Sequence, residues 1–571
     1  MTHPILYGQR WLAGLAGWFP TDETHSAKHW ILPTLIAVFF ALQNPLLYGM
    51  APAFDASLFA TMGKMWADGG IIYRDMIDIK GPMIFLLDAI GYSIGGFRGI
   101  WLLETVLLVV ALNALYRTLG LWHIRPISRL VGIMAWMLLY AYRYYYGNMT
   151  EDYTFSLALI AQYYFVRMIV RSQLDWRDLL IPALTFGVIA MVRLNNTAIW
   201  CGYYLVLFLT WGIQKRWADM VKLAVSGLLG LWIVVMPFII YFMQHQVLDA
   251  FWFYSFGIFF GNSYGNGHSV LVGLVGFLRS GMFLLIPAAA MLLRREAELR
   301  EHAAWNTLLW CQVAGIAFAI VSNSVSGHVF EHYEILFFST AILLLPMIVD
   351  KVSLHYKNCI DGVALLSILA WVAYLIGQHT LYTWTRFERP IPDLLQEMAV
   401  CTVIGLVVAM ICVVVGRIWL ASLHAVFGLI AIVILTVIFV GYPAYTGAHK
   451  GRPFDDKSHA MVSYIKAHTD PADTIWVDGI TPQYYVWTDR SPASAYLFFD
   501  NVTPPYDVRL RMQQDIERHK PKFIIMKLPR MTDVLQGKAP VSTPSFKAYY
   551  EYIQANYEPV SPDLPRLYRL K

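Results

Sequence analysis

The chain has 571 residues, of which 58% are hydrophobic and only 14% charged. Soluble proteins carry about a quarter charged residues, so most of this sequence is excluded from water, and a string of soluble domains is excluded with it. The net charge of +5 is modest and no nucleic-acid partner is expected; its placement says more than its size, because loop charge orients a membrane protein.

In chain order, the stretch Met1–Trp30 lacks the basic, then apolar, then small-residue layout of a cleaved signal, and the first apolar run is expected to stay as a helix. Crossing a hydrocarbon core of about 30 Å takes about 20 apolar residues. Runs of that kind near residues 30–48, 99–116, 130–142, 154–170, 179–192, 197–213, 223–243, 268–293, 305–321, 335–350, 362–378, 399–416 and 425–445 predict about thirteen spans. Met83–Gly96 is apolar but about fourteen residues long, a length that suits an interfacial or re-entrant helix. The loops check this count. With Met1–Lys28 in the cytoplasm, basic residues recur in alternate loops: Arg117, Arg125 and Arg129; Arg167, Arg171 and Arg177; Lys215, Arg216 and Lys222; Arg294, Arg295 and Arg300; Lys351 and Lys357; Arg417. The opposite loops are poor in positive charge, and residues 244–267 and 322–334 hold no Lys or Arg. Counting Met83–Gly96 as a full span would invert every later loop.

An odd count puts everything after about Gly447 outside the cytoplasm, and there the composition changes. Asp473–Gly479 and Lys522–Lys527 read as buried strands, with Asp455–His468, Tyr506–His519 and Ser545–Asn556 as amphipathic helices around them. The expected fold is therefore mostly α: a polytopic transmembrane helix bundle with a C-terminal soluble α/β domain. The expected organisation is a cytoplasmic N-terminus over 1–29, a bundle over 30–447 with an external loop at 49–98, and the extracytoplasmic α/β domain over 448–571. That domain carries no Gly-rich phosphate loop. The five cysteines, Cys201, Cys311, Cys359, Cys401 and Cys412, form no CxxC spacing and read as small apolar core residues.

The first external loop, Phe54–Pro82, concentrates Asp55, Asp68, Asp75 and Asp78 with Lys64, Arg74 and Lys80 in a sequence otherwise sparing with charge. Asp55–Met65 has helical periodicity, with Leu58, Met62 and Met65 on one face, so it can lie on the membrane surface and hold Asp55 at the interface. A partly desolvated carboxylate there can act as general base on a sugar hydroxyl, and Lys80 and Arg74 suit a lipid-linked phosphate. The plainer reading is a solvated loop whose charges pair with one another. Three more polar clusters fall on the same side: Ala141–Asp152, with Arg143, Glu151 and Asp152 among tyrosines; Arg193–Asn196; and Ser322–Glu334, with His328, Glu331, His332 and Glu334. Ionisable residues at membrane depth are costly and are candidates for function. The spacing of His328 and His332 is not HExxH, so a divalent metal is possible but not favoured, and no cofactor is expected. The tyrosines suit an aromatic belt or a sugar platform.

The order of these features resembles the C-type glycosyltransferase superfamily of membrane enzymes, which includes protein O-mannosyltransferases, aminoarabinose transferases, arabinofuranosyltransferases and oligosaccharyltransferases. The similarity lies in Asp55 and Phe59, in Gly70-Ile-Ile-Tyr73-Arg74-Asp75-Met-Ile-Asp78-Ile-Lys80-Gly81-Pro82, in Asn148–Asp152, in His332-Tyr333, and in the strand at Pro521–Ile525. The resemblance implies a glycosyltransferase, hexosyl or pentosyl, in a bacterial inner membrane. It would move a sugar, with inversion, from a polyprenyl-phosphate donor to a glycan, lipid or protein acceptor outside the cytoplasm, with membrane lipids as its other partners. It also implies Asp55 as base, with Asp75 and Asp78 as alternatives; Arg74, Lys80, Arg193 and His332 on the donor phosphate; and Tyr73, Glu151, Asp152, Glu331 and Tyr333 around them or on the acceptor. Many relatives carry a paired Asp-Glu at the first position, where this chain has Asp55-Ala56. The competing class is a polytopic transporter or lipid flippase, which would place charges near the bilayer midplane in broken helices.

Overall fold

The computed structural model describes residues 28–144, 146–171, 174–257, 270–287, 302–326, 330–351, 366–375, 396, 398–407, 410, 456–479, 481–497, 506–526 and 544–571. It is a polytopic membrane bundle carrying a C-terminal α/β domain. Among the described residues, five helices are long and apolar enough to cross a membrane: Phe97–Leu121, Thr150–Val170, Leu194–Ile213, Trp217–Gln244 and Ala304–Val325. A described helix overlaps each of the first twelve expected runs. The thirteenth, 425–445, lies outside the described residues.

One antiparallel helix pair fixes which ends of the bundle belong together. Thr150–Val170 and Trp176–Val192 pack side by side, joined by a short connection. At one end Arg167 meets Asp178, 3.2 Å; at the other Arg193 meets Glu151, 2.9 Å. Sixteen residues of helix separate Glu151 from Arg167, about 24 Å at 1.5 Å per residue. The basic residues expected inside and the polar clusters expected outside therefore sit at opposite ends of the same helices.

The first loop is built from helices rather than coil. Ala53 enters the Phe54–Ala67 helix in extended backbone, Asp55 lies in the first turn, where a carboxylate favours the positive end of the helix dipole, and Gly69 at φ +97° ends it. Residues 56–64 of this helix are buried. Its partner is the short apolar helix Pro82–Gly95, against which Gly63 packs so closely that a Cβ would clash with the Asp88 side chain. The backbone then breaks at Gly95 and Gly96 (φ +62°) before the long Phe97–Leu121 helix. Across this break Gly99 meets the Gly91 carbonyl, an approach that leaves no room for a Cβ.

Among its described residues, the C-terminal domain holds a five-stranded sheet in the order β2-β1-β3-β5-β4. Strands β1 (Thr474–Val477), β2 (Ser491–Pro492) and β3 (Phe523–Ile525) run parallel, while β4 (Tyr557–Pro559) and β5 (Leu567–Leu570) add an antiparallel edge. The two strands and three helices read from the sequence are present, at Thr474–Val477, Phe523–Ile525, Asp456–Ala467, Tyr506–His519 and Pro544–Asn556. The short Gln483–Thr488 helix of this domain packs on Phe54–Ala67, so the domain sits on the same end of the bundle as the first loop.

Candidate functional site

Past Gly70 the loop makes a tight turn. Tyr73 holds φ +67°, a left-handed conformation that is strained for a bulky residue. Its amide donates to the Met76 carbonyl, 2.8 Å, and its hydroxyl to the Lys80 carbonyl, 2.8 Å, so one residue spans the turn and fixes the segment that follows. Asp78 accepts from the Lys80 amide, 2.8 Å. Then Gly81 donates to the Val192 carbonyl, 3.1 Å. Only glycine fits there, since a Cβ would run into the Met191 carbonyl oxygen. That close approach seats Lys80 beside the C-terminal end of the Trp176–Val192 helix, where Arg193 follows in extended backbone.

Arg193 is the hub on that side. It pairs with buried Glu151 and donates to the Tyr333 hydroxyl, 2.5 Å, while its guanidinium lies over the Tyr333 ring, 4.5 Å from the centroid. It keeps 16% of its side chain exposed. His332, in the same short turn as Tyr333, lies within electrostatic reach of Glu151, Asp55, Arg193 and Lys80. Asp78 is likewise in reach of Lys80 and Asp55. Lys80 also stands over the Phe59 ring, 5.7 Å from its centroid. Four distant stretches of sequence thus meet: Asp55, Phe59, Tyr73, Asp78 and Lys80 from the first loop, Glu151, Arg193, and His332 with Tyr333. Desolvation lifts the Asp78 carboxyl above its ordinary range, against the pull of Lys80, and desolvation lowers the His332 imidazole, against Glu151 and Asp55. Lowered in this way, the His332 imidazole is a neutral ring at neutral pH, beside the basic side chains of Lys80 and Arg193.

Other expected residues lie elsewhere. Arg74 and Asp75 pair with each other, 3.0 Å, half-exposed. Against the upward pull of desolvation, Arg74 and the Ile71 amide hold Asp75 below the usual carboxylate range. Asp152 takes the third position of the Thr150–Val170 helix and accepts from the Met149 amide, 3.0 Å, as a capping carboxylate does; its other oxygen accepts from Tyr140. The side chains of Arg143 and Glu331, and all of His328, lie outside what is described. Among the described residues no three His, Cys, Asp or Glu side chains converge as a metal set.

Beneath the site lies a second polar group, of which the sequence reading singled out Asp152 and the Asn148–Asp152 motif but not Asn44, Asp88 or Glu104. Asn148 donates to Asp88, 2.8 Å, and to the Ala56 carbonyl, 3.1 Å. Asn44 and the Asn148 amide reach the same Glu104 oxygen at 2.9 and 3.2 Å, and Tyr144 reaches the other at 3.2 Å. Tyr153 bonds Asp88 and Asn148. Asn44, Asp88, Glu104, Asn148 and Asp152 are all buried. Asp88 and Glu104 had a signal in the sequence: each is a lone carboxylate within an apolar run, which membrane energetics makes costly.

No family model matches the chain, and no curated protein matches it. Among solved structures it is similar to ArnT from Cupriavidus metallidurans bound to undecaprenyl phosphate, with a TM-score of 0.56 at 14% identity over 95% of this chain and 98% of that one. The same enzyme in the apo state gives a TM-score of 0.57 at 14% identity, with the same coverage. At that identity the likeness is one of fold, and it runs through bundle and C-terminal domain alike.

Proposed function

We propose that this chain, which has the fold of a C-type membrane glycosyltransferase, transfers a sugar from a polyprenyl-phosphate donor to an acceptor on the extracytoplasmic face of a bacterial inner membrane. The observation that carries the reading is the meeting of Lys80 and Arg193 with Asp55, Asp78 and His332 at one end of the bundle, beneath the C-terminal domain. A structure of the same fold was solved with undecaprenyl phosphate, and the shared fold supports the same class of donor.

The reaction needs little else. Asp55 takes the proton of an acceptor hydroxyl, the oxygen attacks the anomeric carbon, and the bond from that carbon to the phosphate oxygen breaks with inversion. The lipid phosphate leaves with the electron pair, and Lys80 and Arg193 offset its charge. Arg193 is held for this task at both ends of its fork by Glu151 and Tyr333, which fixes its plane. Lys80 is placed by the Gly81 approach and the Tyr73 bond.

The test is lipid mass spectrometry of a strain lacking this chain. A polyprenyl-phosphate sugar that accumulates, and falls again on complementation, supports the reading and names the sugar. An unchanged lipid-linked sugar pool, with the acceptor glycans also unchanged, overturns it.

A further inference from the structure

The segment from Ile72 to Lys80 ends at one of the proposed donor cations, yet much of what fixes it belongs to the C-terminal domain. Ile77 sits in that domain's core with Trp476, Ala493, Ala495 and Tyr496, and its amide donates to the Ala495 carbonyl, 2.9 Å. The turn presenting that carbonyl is itself clamped. Asp515 Oδ2 accepts from the Ser494 hydroxyl, 3.0 Å, and from the Ala495 amide, 3.2 Å. One helical turn later, His519 Nδ1 bonds the Ala493 carbonyl, 2.7 Å. Asp515 is buried, and a carboxylate removed from water is costly unless its bonds are made; both of these bonds go to the turn.

A second line runs alongside. The Tyr496 and Tyr254 hydroxyls are 2.9 Å apart. The Tyr254 ring lies parallel to that of Tyr73, 5° between planes and 6.3 Å between centroids. Tyr73 in turn bonds the Lys80 carbonyl and the Ser255 hydroxyl, each at 2.8 Å. Both lines start in the C-terminal domain and end on the backbone next to Lys80.

We propose that Asp515 and Tyr496 are positioning residues: through the Ala493–Tyr496 turn and through Tyr254 and Tyr73, the C-terminal domain sets the place of the Ile72–Lys80 segment and hence of Lys80. The consequence for catalysis rests on the functional reading above; the brace itself does not. Neither residue is among the proposed donor contacts, so each acts on the reaction through the segment it holds.

The experiment uses the full chain in lipid nanodiscs with Asp515→Ala, Asp515→Asn and Tyr496→Phe. Two quantities are read: hydrogen exchange of peptides covering Ile72–Lys80, and kcat and KM for the polyprenyl-phosphate donor. Asp515→Ala is expected to speed exchange at Ile77 and to lower kcat/KM about tenfold, on the scale of one lost hydrogen bond. Asp515→Asn keeps an acceptor oxygen and is expected to restore both readings, which a general loss of folding would not allow. Tyr496→Phe, the variant that stands if Asp515→Ala does not fold, is expected to show a smaller change of the same kind. Exchange unchanged in both Asp515→Ala and Tyr496→Phe overturns the proposal, as does faster exchange with donor kinetics intact. A wild-type protein inert toward every polyprenyl-phosphate sugar, in which Asp515→Ala still loosens Ile72–Lys80, defeats the functional reading and supports the brace.

Discussion

Glu151 and Asp152 are neighbours in the chain and belong to two different regions. Successive helical residues point about 100° apart, so Glu151 turns to Arg193 and Asp152 turns to Tyr140 and its own helix start. The upper region, around Asp55, Asp78, Lys80, Arg193 and His332, mixes both signs of charge and keeps several members partly exposed. The lower one, around Asn44, Asp88, Glu104, Asn148 and Asp152, is buried throughout. Among the described residues its hydrogen-bond partners are amides, tyrosine hydroxyls and backbone. Both are rich in carboxylates. What separates them is whether the carboxylates answer to one another's neighbours within the core or to cations beside an accessible surface, and only the second arrangement can meet a charged ligand.

Five substitutions sharpen or break that contrast. The largest effect is expected from Asp55→Asn, which keeps size and removes the basic oxygen: sugar transfer should fall by about 10²–10⁴, the usual contribution of a general base, with thermal stability unchanged. Transfer within about threefold of wild type, far short of that contribution, would move the base to Asp78 or Asp75. Next, Lys80→Ala and Arg193→Ala should each cost about 10²–10³ in turnover, as loss of a preorganised donor to developing charge does, measured on protein shown to be folded by its melting curve. Arg193→Ala should be the less stable of the two, since it also strands buried Glu151.

The lower region should respond in the opposite way. Asn148→Ala removes bonds to Asp88 and to the Ala56 carbonyl and should cost about 1–3 kcal/mol of stability, the penalty for leaving a buried polar group without its partner. Turnover per folded molecule should change far less than in Lys80→Ala. A variant of wild-type stability with lost turnover would merge the two regions into one site.

The smallest effect is a matter of sign. Burial holds the Asp78 carboxyl above its ordinary value of 3.8, so above that pH the folded protein holds this proton more tightly than the unfolded chain, and stability falls as pH rises through the folded value. Asp78→Asn should therefore raise the melting temperature at neutral pH, with the gain fading as pH drops toward 3.8. A neutral-pH melting temperature below that of wild type would mean that the Asp78 charge supports the fold.

The sequence carried much of this. Apolar run length and loop charge led to the bundle, and period and strand-forming residues led to the helices and central strands of the C-terminal domain. The hairpin of β4 and β5 was not legible because its strands are short and carry Glu558 and Arg569 among the apolar positions, with Arg566 just before β5. Asp55, Lys80 and Arg193 were legible as ionisable residues beside apolar segments. Loop charge put them on one side and the resemblance implied a shared site, but the contact that joins them was not legible, because it depends on Gly81 meeting Met191, a contact between residues 110 apart. The roles of Ile77, Tyr254 and Asp515 were hidden for the same reason: each acts through a partner in another part of the chain.

On the proposed function, the upper region holds the phosphate of a polyprenyl lipid. A polyprenyl phosphate bearing a photoreactive group close to its phosphate tests it most directly, crosslinked to the full chain in nanodiscs and mapped by peptide mass spectrometry. Label is expected in peptides covering residues 54–82, Arg193 or His332–Tyr333, displaced by unlabelled undecaprenyl phosphate and lost in a Lys80→Ala, Arg193→Ala double variant. Displaceable label that persists in the double variant, or that falls only on other segments, would contradict it.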